Sequence, residues 1–446
     1  MNFLHALKRR AESLPPSVGT RLSRVPFALR LGPAYARHRR RIADYEAMSA
    51  EKAEAWTVSR LRHLVAEAAL NVLFYRDLYA ESGVDPRAID SLDAFRQLPI
   101  VDKAAFQKLP IDARSYRRGM TVNTGGTSGQ PLVFQLEDSA FAREWAHMHH
   151  LWYARGYRKE HLKLTLRGKH FERSRALHYN AVHNELVVNA DAPMADILSA
   201  ALEWDGPPIR WVHGYPSLVS EFASLLANAA ALDRARFRSR VYGVLLGSEF
   251  PAPAYRKPIE DQLSINVLSW YGHSEMALLA GEMRPGVYRA LPTYGFAEAV
   301  RIDDSDRYRL VCTSFDNLCH PFIRYDTGDI VEPVAEGPAG LEFRIREGRI
   351  GDFIDDSRGH RHSLTAIIFG RHHAAFADLS HVQVMQRVPG AATLLVTPRD
   401  PAASPDAIRK GFDLSGLDFD WDIEVLREPV RSAAGKIKLK VDPDPS

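Results

Sequence analysis

Several short stretches of this chain group residue types that could do chemistry. The densest is Thr121-Val122-Asn123-Thr124-Gly125-Gly126-Thr127-Ser128-Gly129-Gln130-Pro131, just before the apolar run Leu132-Val133-Phe134. Glycines let a backbone approach an anion closely, and hydroxyls add donors around phosphate oxygens. No Gly-Lys-Ser/Thr follows, which excludes the Walker loop, and no Gly-x-Ser-x-Gly is present, which excludes a nucleophile elbow. Taken alone, such a loop reads equally as a flexible surface turn. In Tyr271-Gly272-His273-Ser274-Glu275, an aromatic at a strand end offers a stacking face. Glu275, four residues on, offers a hard oxygen ligand for Mg²⁺. His273 reads as a substrate neighbour or, preferably, as a packed polar residue. Arg324-Tyr325-Asp326-Thr327-Gly328-Asp329, Gly348-Arg349-Ile350-Gly351-Asp352 and Gly435-Lys436-Ile437-Lys438 follow in order. Each alone reads as a turn, an ion pair, a helix cap or a basic tail; their succession along one chain sets them apart.

These residues need elements to hold them. Leu61, Leu64, Val65, Ala68, Ala69 and Val72 share one helical face, ended by Gly83 and Pro86. A second helix is expected from Asp138 as N-cap, with Phe141, Trp145, Met148 and Trp152 as its core stripe. His147, His149 and His150 lie beside that stripe without a nearby carboxylate, the pattern of a non-metal face. Val241–Leu246 and Ile265–Trp270 read as buried strands, with a helix over 251–263 between them. Phe296–Ile302 and Tyr308–Thr313 read as a strand pair around a polar turn. Beyond residue 350, short strands at 383–386, 392–397, 423–426 and 437–441 surround a Pro/Asp/Ala/Ser loop at 398–405. The fold class expected is α/β: a large multi-sheet N-terminal domain with a small, mobile α+β C-terminal domain. The boundaries expected are a basic extension at 1–49, the large domain at 50–350 and the small one at 351–446.

Composition narrows the class. The chain has 446 residues, 46% hydrophobic and 25% charged, the balance of a folded globular protein. Its two cysteines, Cys312 and Cys319, exclude a disulfide framework and a four-cysteine zinc site, and suit a reducing compartment. No apolar run approaches the roughly 20 residues needed to span a bilayer. MNFLHALKRR places its charges after its apolar patch, the reverse of a secretory signal. The expectation is a cytoplasmic protein. The net charge is +3, yet residues 1–41 hold ten Lys/Arg against Glu12 alone. That arm reads first as a solvated extension lying on the body. Weak peripheral contact with anionic lipid is the other reading, and sparse aromatics argue against nucleic acid.

With these stretches in order, the sequence resembles the adenylate-forming superfamily of acyl- and aryl-CoA synthetases, adenylation domains and luciferases. The resemblance is nearest to the phenylacetate–CoA ligase branch and its relatives from capsule and surface-polysaccharide clusters. It rests on Asn123–Pro131, Gly214-Tyr215-Pro216-Ser217, Tyr271–Glu275, Arg324–Asp329, Gly435–Lys436 and the segment Val72-Leu73-Phe74-Tyr75-Arg76, and covers roughly residues 50–441. It implies ATP- and Mg²⁺-dependent activation of a carboxylic acid as its adenylate, then transfer to coenzyme A. An amine or hydroxyl acceptor, on an amino sugar, an amino acid or another precursor, is the alternative. A non-catalytic nucleotide-binding protein is a second alternative.

By the same resemblance, Thr124, Gly125, Gly126, Thr127, Ser128 and Gly129 hold the β- and γ-phosphates. Tyr271 packs on adenine, with Gly272, Ser274, Ser248 and Glu249 nearby. Glu275 binds Mg²⁺, Asp329 the ribose hydroxyls, Arg349 the ribose–phosphate end, and Lys436 the acyl-adenylate oxygens. The acyl pocket involves Tyr215, the Gly247-Ser248-Glu249 turn, His273 and Met276, with the Trp145 stripe as a wall. Arg167-Gly168 reads equally as a carboxylate or sugar contact and as a surface ion pair. The sequence departs from the family at Gln130, where many relatives carry lysine. It departs again at Gly351, the usual hinge aspartate, which Asp352 could replace. At Met283 and Arg289, branch relatives carry Cys and His, so no metal is expected there.

Overall fold

The computed structural model describes residue 12 and residues 14–123, 132–167, 175–189, 192–303, 305–347, 353–359, 361–364, 368, 373–398, 400–414, 417–431, 437–441 and 443. The chain divides into two compact units, one of residues 1–30, 152–269 and 352–446, the other of residues 31–151 and 270–351. The architecture is α/β.

The first unit is built on a parallel sheet. Its strands are β1 (Leu162–Leu166), β2 (Leu177–Asn180), β3 (Glu185–Val188), β4 (Ile209–Gly214), β5 (Gly243–Leu246) and the first half of β6 (Val267–Gly272). They lie in the order β6-β5-β4-β1-β3-β2, and only β2, at the edge, runs antiparallel to its neighbour. Helices Met194–Leu202, Pro216–Ala227 and Pro253–Gln262 follow β3, β4 and β5 as crossovers. Period-two alternation splits β1. Leu162, Leu164 and Leu166 join the apolar core with Val212, Val219, Phe222 and Val244. Lys163 and Thr165 take the other face, where Lys163 Nζ pairs with Glu185 of β3 at 3.1 Å. Burial alone would raise the Glu185 carboxyl; Lys163, together with the neighbouring groups and the Thr165 hydrogen bond, outweighs it and holds Glu185 well below the usual range.

The second unit is an antiparallel sheet. Its strands are β7 (Leu279–Arg284), β8 (Val287–Ala290), β9 (Gly295–Arg301), β10 (Tyr308–Ser314), β11 (Tyr325–Ala335) and β12 (Glu342–Glu347). Their order is β9-β10-β11-β12-β8-β7, and the second half of β6 pairs with β7. Helix Ala50–Asn71 buries Leu61, Leu64, Val65 and Ala68 as its spacing predicts, and Ser49 caps it by accepting from Lys52 N at 3.4 Å. A hairpin of Met120–Asn123 and Val133–Leu136 flanks the glycine-rich stretch in sequence.

The aromatic-stripe helix differs from its reading. It starts at Ala140, Phe141 is 49% exposed and Trp145 half-buried, while Arg143, His147, Met148 and His149 are buried. The polar residues bury because each is answered. His147 Nδ1 donates to Arg143 O at 2.9 Å, its Nε2 lies 3.1 Å from Thr293 Oγ1, and His149 Nδ1 lies 3.0 Å from Tyr35 Oη.

Within the first unit, the C-terminal strands are β13 (Leu379–Val388), β14 (Ala391–Pro398), β15 (Asp420–Val425) and β16 (Lys440–Val441), in the order β15-β14-β13-β16. Val382, Val384, Leu394, Val396 and Ile408 form their core. The last strand is shorter than the sequence suggests, and Ile437 instead makes a single antiparallel bridge to Arg431. The basic arm is partly committed to protein contacts: Arg30 donates to Val182 O at 2.8 Å in the first unit, and Arg41 pairs with Asp316 at 2.7 Å in the second. Among the described residues no helix is long and apolar enough to cross a membrane.

Three histidines of the second unit are buried and uncharged. Burial lowers His38 to about 4, and His147 and His320 to about 3. The unfolded chain, titrating near 6.5, therefore binds more protons than the folded one between those values, and stability must fall as pH drops below about 6.5. Each histidine contributes up to about 1.4 kcal/mol per pH unit in that window. Urea unfolding between pH 7 and pH 5 should show this slope, and His147→Gln should reduce it by about one proton. An unchanged slope in the variant would show that His147 does not titrate as its burial requires.

Candidate active site

Of the residues singled out in sequence, Thr124–Gly129, Gln130, Gly168, Arg349, Gly351, Asp352 and Lys436 lie outside the described residues. The others fall into two constellations, one in each unit.

In the second unit, β6 ends in the turn Tyr271–Glu275. Tyr271 is half-buried, and Gly272 and Ser274 are exposed. The Tyr271 hydroxyl donates to Asp329 Oδ2, and its ring stands edge-on to Phe343 with centroids 5.7 Å apart. Glu275 is buried, 5% exposed. Tyr325 Oη donates to Glu275 Oε1 at 3.1 Å, and His273 Nδ1 meets Glu275 Oε2 at 3.0 Å. A carboxylate only accepts, so His273 donates to Glu275 from Nδ1. Nε2 faces Cys312 Sγ at 3.7 Å. Burial, and then the Glu275 charge, push the Cys312 thiol well up, so it remains an S–H donor and is no nucleophile. His273 is thus packed into the base of the turn.

Every residue of Arg324–Asp329 is used. Arg324, at φ +45°, pairs with buried Glu298 at 3.0 Å. Tyr325 reaches Glu275. Asp326 Oδ1 accepts from Gly328 N at 2.9 Å, where Gly328 turns with φ +78°. Thr327 Oγ1 donates to Leu310 O at 2.9 Å and accepts from Asp329 N at 3.2 Å. Asp329 itself is buried and meets Tyr271.

Arg143 is a residue the sequence reading missed. It is 1% exposed, lies over the Tyr294 ring at 4.8 Å and donates from Nη2 to Met276 O at 2.9 Å. Met276 has φ +50°, and Arg143 fixes its carbonyl.

In the first unit, a second constellation collects at the carboxyl ends of β1, β4 and β5. Tyr215 N donates to Leu166 O at 3.2 Å and Gly247 N to Gly214 O at 3.2 Å. The approach requires glycine: a Cβ at Gly214 would lie 2.3 Å from the Leu166 carbonyl oxygen. Tyr215 is buried, and burial raises its hydroxyl above the ordinary value. Ser248 is exposed with φ +70°. Glu249 Oε2 accepts from Ser217 N at 3.2 Å and from Ser217 Oγ at 2.7 Å, at the start of helix Pro216–Ala227. Arg167 makes no ion pair among the described residues; its Nη2 lies 3.1 Å from His213 Nε2.

Toward the C-terminus, buried Gln383 of β13 holds both flanks of the Gly435–Lys436 stretch. Its Oε1 accepts from Val430 N at 2.7 Å, and its Nε2 donates to Val430 O at 2.9 Å and Lys438 O at 2.8 Å.

The described residues supply an aromatic ring, buried carboxylates and placed hydrogen-bond donors. That set suits binding and orienting a polar ligand rather than nucleophilic catalysis. No cluster of three or more His, Cys, Asp or Glu among them could hold a metal on protein ligands alone.

No protein-family model matches the sequence, and no curated protein matches it. Solved structures do match. A 2-hydroxyisobutyryl-CoA ligase in the postadenylation state with R3-HIB-AMP is 16% identical, with a TM-score of 0.63 over 89% of this chain and 90% of that one. The same ligase with 2-HIB-AMP is 15% identical, with a TM-score of 0.60 over 89% and 90%. An acyl acid amido synthetase in complex with 2,4-DB is 13% identical, with a TM-score of 0.55 over 86% and 88%. The chain has the fold of these structures.

The Tyr325–Glu275 hydrogen bond is testable as a pairwise energy. A double-mutant cycle of Tyr325→Phe and Glu275→Gln, read by urea unfolding, should give a coupling of about 1 kcal/mol. Additivity within about 0.3 kcal/mol would mean the two groups are not partners.

Proposed function

We propose that this protein is an ATP-dependent ligase that activates a carboxylic acid as its acyl- or aryl-adenylate and then passes the acyl group to coenzyme A. The carrying observation is the Tyr271–Asp329 hydrogen bond beside the buried carboxylate Glu275, on a chain with the fold of adenylate-forming ligases. In this reading Tyr271 presents its ring to adenine, and Asp329 accepts from the ribose diol, a task matched by the two oxygens of one carboxylate. Thr124–Gly129 would hold the β- and γ-phosphates, Ser248, Glu249, Gly272 and Ser274 contribute to nucleotide binding, and Arg349 would assist at the ribose–phosphate end. Tyr215, His273 and Met276 contribute to the acid's pocket. The branch that fits is phenylacetate–CoA ligase, and the setting is the cytoplasm.

Mg²⁺ suits the donor set. It is commonly held by one or two carboxylates plus substrate phosphates. Glu275 is a hard oxygen donor, a carboxylate oriented by His273 and Tyr325. When bound, the ion neutralises phosphate charge.

The chemistry has two steps. An oxygen of the acid attacks the α-phosphorus, the bond to pyrophosphate breaks, and pyrophosphate leaves with the electron pair. The acceptor thiol then attacks the acyl carbon, and AMP leaves. Little covalent help is required; charge placement carries the rate. A second reading replaces the thiol by an amine or hydroxyl in polysaccharide or natural-product synthesis. It is supported by the likeness to an acyl acid amido synthetase as well as to a CoA ligase.

Pyrophosphate exchange into ATP across a panel of carboxylic acids tests the reading, and acid-dependent exchange is the expected result. Binding of ATP without exchange on any acid would instead indicate a non-catalytic nucleotide-binding protein. Lys436→Ala should lower exchange by about 10²–10³-fold, because negative charge builds around the α-phosphate in that step. The same variant should still consume a chemically prepared acyl-adenylate at near the normal rate. Lys438→Ala is the control. A crippled Lys438→Ala beside a normal Lys436→Ala would move the role one strand repeat along the chain.

A further inference from the structure

The parallel strands of the first unit lie in the order β3-β1-β4-β5-β6. Numbered by sequence this is 2-1-3-4-5, a doubly wound order. From β1 the chain goes on to one side of the sheet, and from β4 to the other, so the topological switch point lies between β1 and β4. Open α/β sheets bind ligands in the crevice outside the carboxyl ends of such strands. The residue just after β1 is Arg167, and the residue just after β4 is Tyr215.

Arg167 is unusual in its surroundings. It is only partly exposed, and its Nε is buried without a hydrogen-bond partner among the described residues. Its Nη2 points at a neutral acceptor, His213 Nε2. A guanidinium only donates, so His213 carries its proton on Nδ1, which lies 3.4 Å from Thr165 Oγ1. Thr165 Oγ1 donates onward to Glu185 Oε2 at 2.9 Å, the oxygen already paired with Lys163. The chain of hydrogen bonds thus runs from Arg167 to a carboxylate whose charge Lys163 already matches. Glu249, on the neighbouring strand end, has its Oε2 taken by Ser217. Among the described residues, Arg167 is left as an oriented cation with an unmet buried donor at the mouth of a switch-point crevice.

We infer that Arg167 binds a second anionic group on the acid substrate, so that the acid activated is a dianion such as a dicarboxylate, with His213 as the residue that positions the guanidinium. This rests on the proposed adenylation reaction and names its substrate class. An arginine fork matches a carboxylate, and the missing partner of the buried Nε is an oxygen acceptor. A site with such a donor rejects an analogue that leaves it unpaired.

The test compares matched acids in pyrophosphate exchange. Each dicarboxylic acid is paired with its monoamide and with the monocarboxylic acid of the same length. The dianion should be preferred in kcat/KM by about 10²-fold or more. Arg167→Gln should remove that preference, lowering kcat/KM for the dianion by about 10²-fold while the neutral-tailed acids change by less than about threefold. Turnover of those acids also reports that the variant is folded. His213→Phe should shift the pair ratio in the same direction, whereas a loss shared by all acids would assign His213 to stability alone and overturn its positioning role. Equal loss on every acid in Arg167→Gln, or wild-type preference for neutral-tailed acids, would overturn the inference and leave the adenylation reading intact. Exchange with no acid at all would remove both.

Discussion

A carboxylate taken out of water must be met by a proton donor or a cation, because an unmet buried charge costs several kcal/mol. This constraint organises both units. Glu185, Glu275, Glu298 and Asp329 are each at most 7% exposed. Lys163 and Thr165 answer Glu185, His273 and Tyr325 answer Glu275, Arg324 answers Glu298, and Tyr271 answers Asp329. Several of these partners lie far apart in sequence, so meeting the charges also fixes the turns that carry them. Tyr271–Glu275 and Arg324–Asp329 are held against each other by two such bonds, Tyr271 to Asp329 and Tyr325 to Glu275.

That constraint also explains what could be read from the sequence. The run Val241–Leu246 and the spacing of Leu61, Leu64 and Val65 carry their own periodicity, and both become the expected elements. The motif residues Tyr271, Glu275 and Asp329 were legible because their types cluster locally. Their partners were not: Tyr325 meets Glu275 fifty positions away, and Arg143 reaches Met276 across 133. No local pattern encodes such pairs. The alternation Lys163-Leu164-Thr165-Leu166-Arg167 was a missed signal. A lysine inside an apolar strand implies a buried counter-charge, and here it is Glu185. The helix after Asp138 misled for the same reason, since hydrogen-bonded His147 and His149 take buried positions that hydropathy gives to Phe141.

Backbone geometry adds a second layer. Met276 and Arg324 hold left-handed conformations without being glycine, at φ +50° and +45°. Such residues persist when surrounding contacts over-determine them. Arg143 supplies that contact for Met276, and the Glu298 pair supplies it for Arg324. Ser248, at φ +70°, precedes Glu249, whose carboxylate is tied to Ser217. In each case the strained residue sits one position from, or within, a hydrogen-bonded motif, so the turn aims a side chain rather than merely reversing the chain.

The kind of partner separates supporting carboxylates from those left able to act. Glu298 and Glu185 are met by full cations, and their charge is cancelled where it stands. Glu275 is met by a tyrosine and by a histidine that shares its other nitrogen with a protonated thiol, and Asp329 by a tyrosine. A tyrosine hydroxyl satisfies a lone pair but leaves most of the negative charge in place, and a low-dielectric setting strengthens the field it projects. Such a carboxylate can still attract a cation or a diol. The same logic applies with the sign reversed to Arg167, whose described partner is a neutral imidazole. Burial and the charges of Arg167 and Lys163 hold His213 well below its ordinary value, so the ring accepts without adding charge of its own. A cation held by a neutral acceptor keeps its field, as the two tyrosine-bound carboxylates keep theirs, and these are the groups to which a charged ligand is drawn.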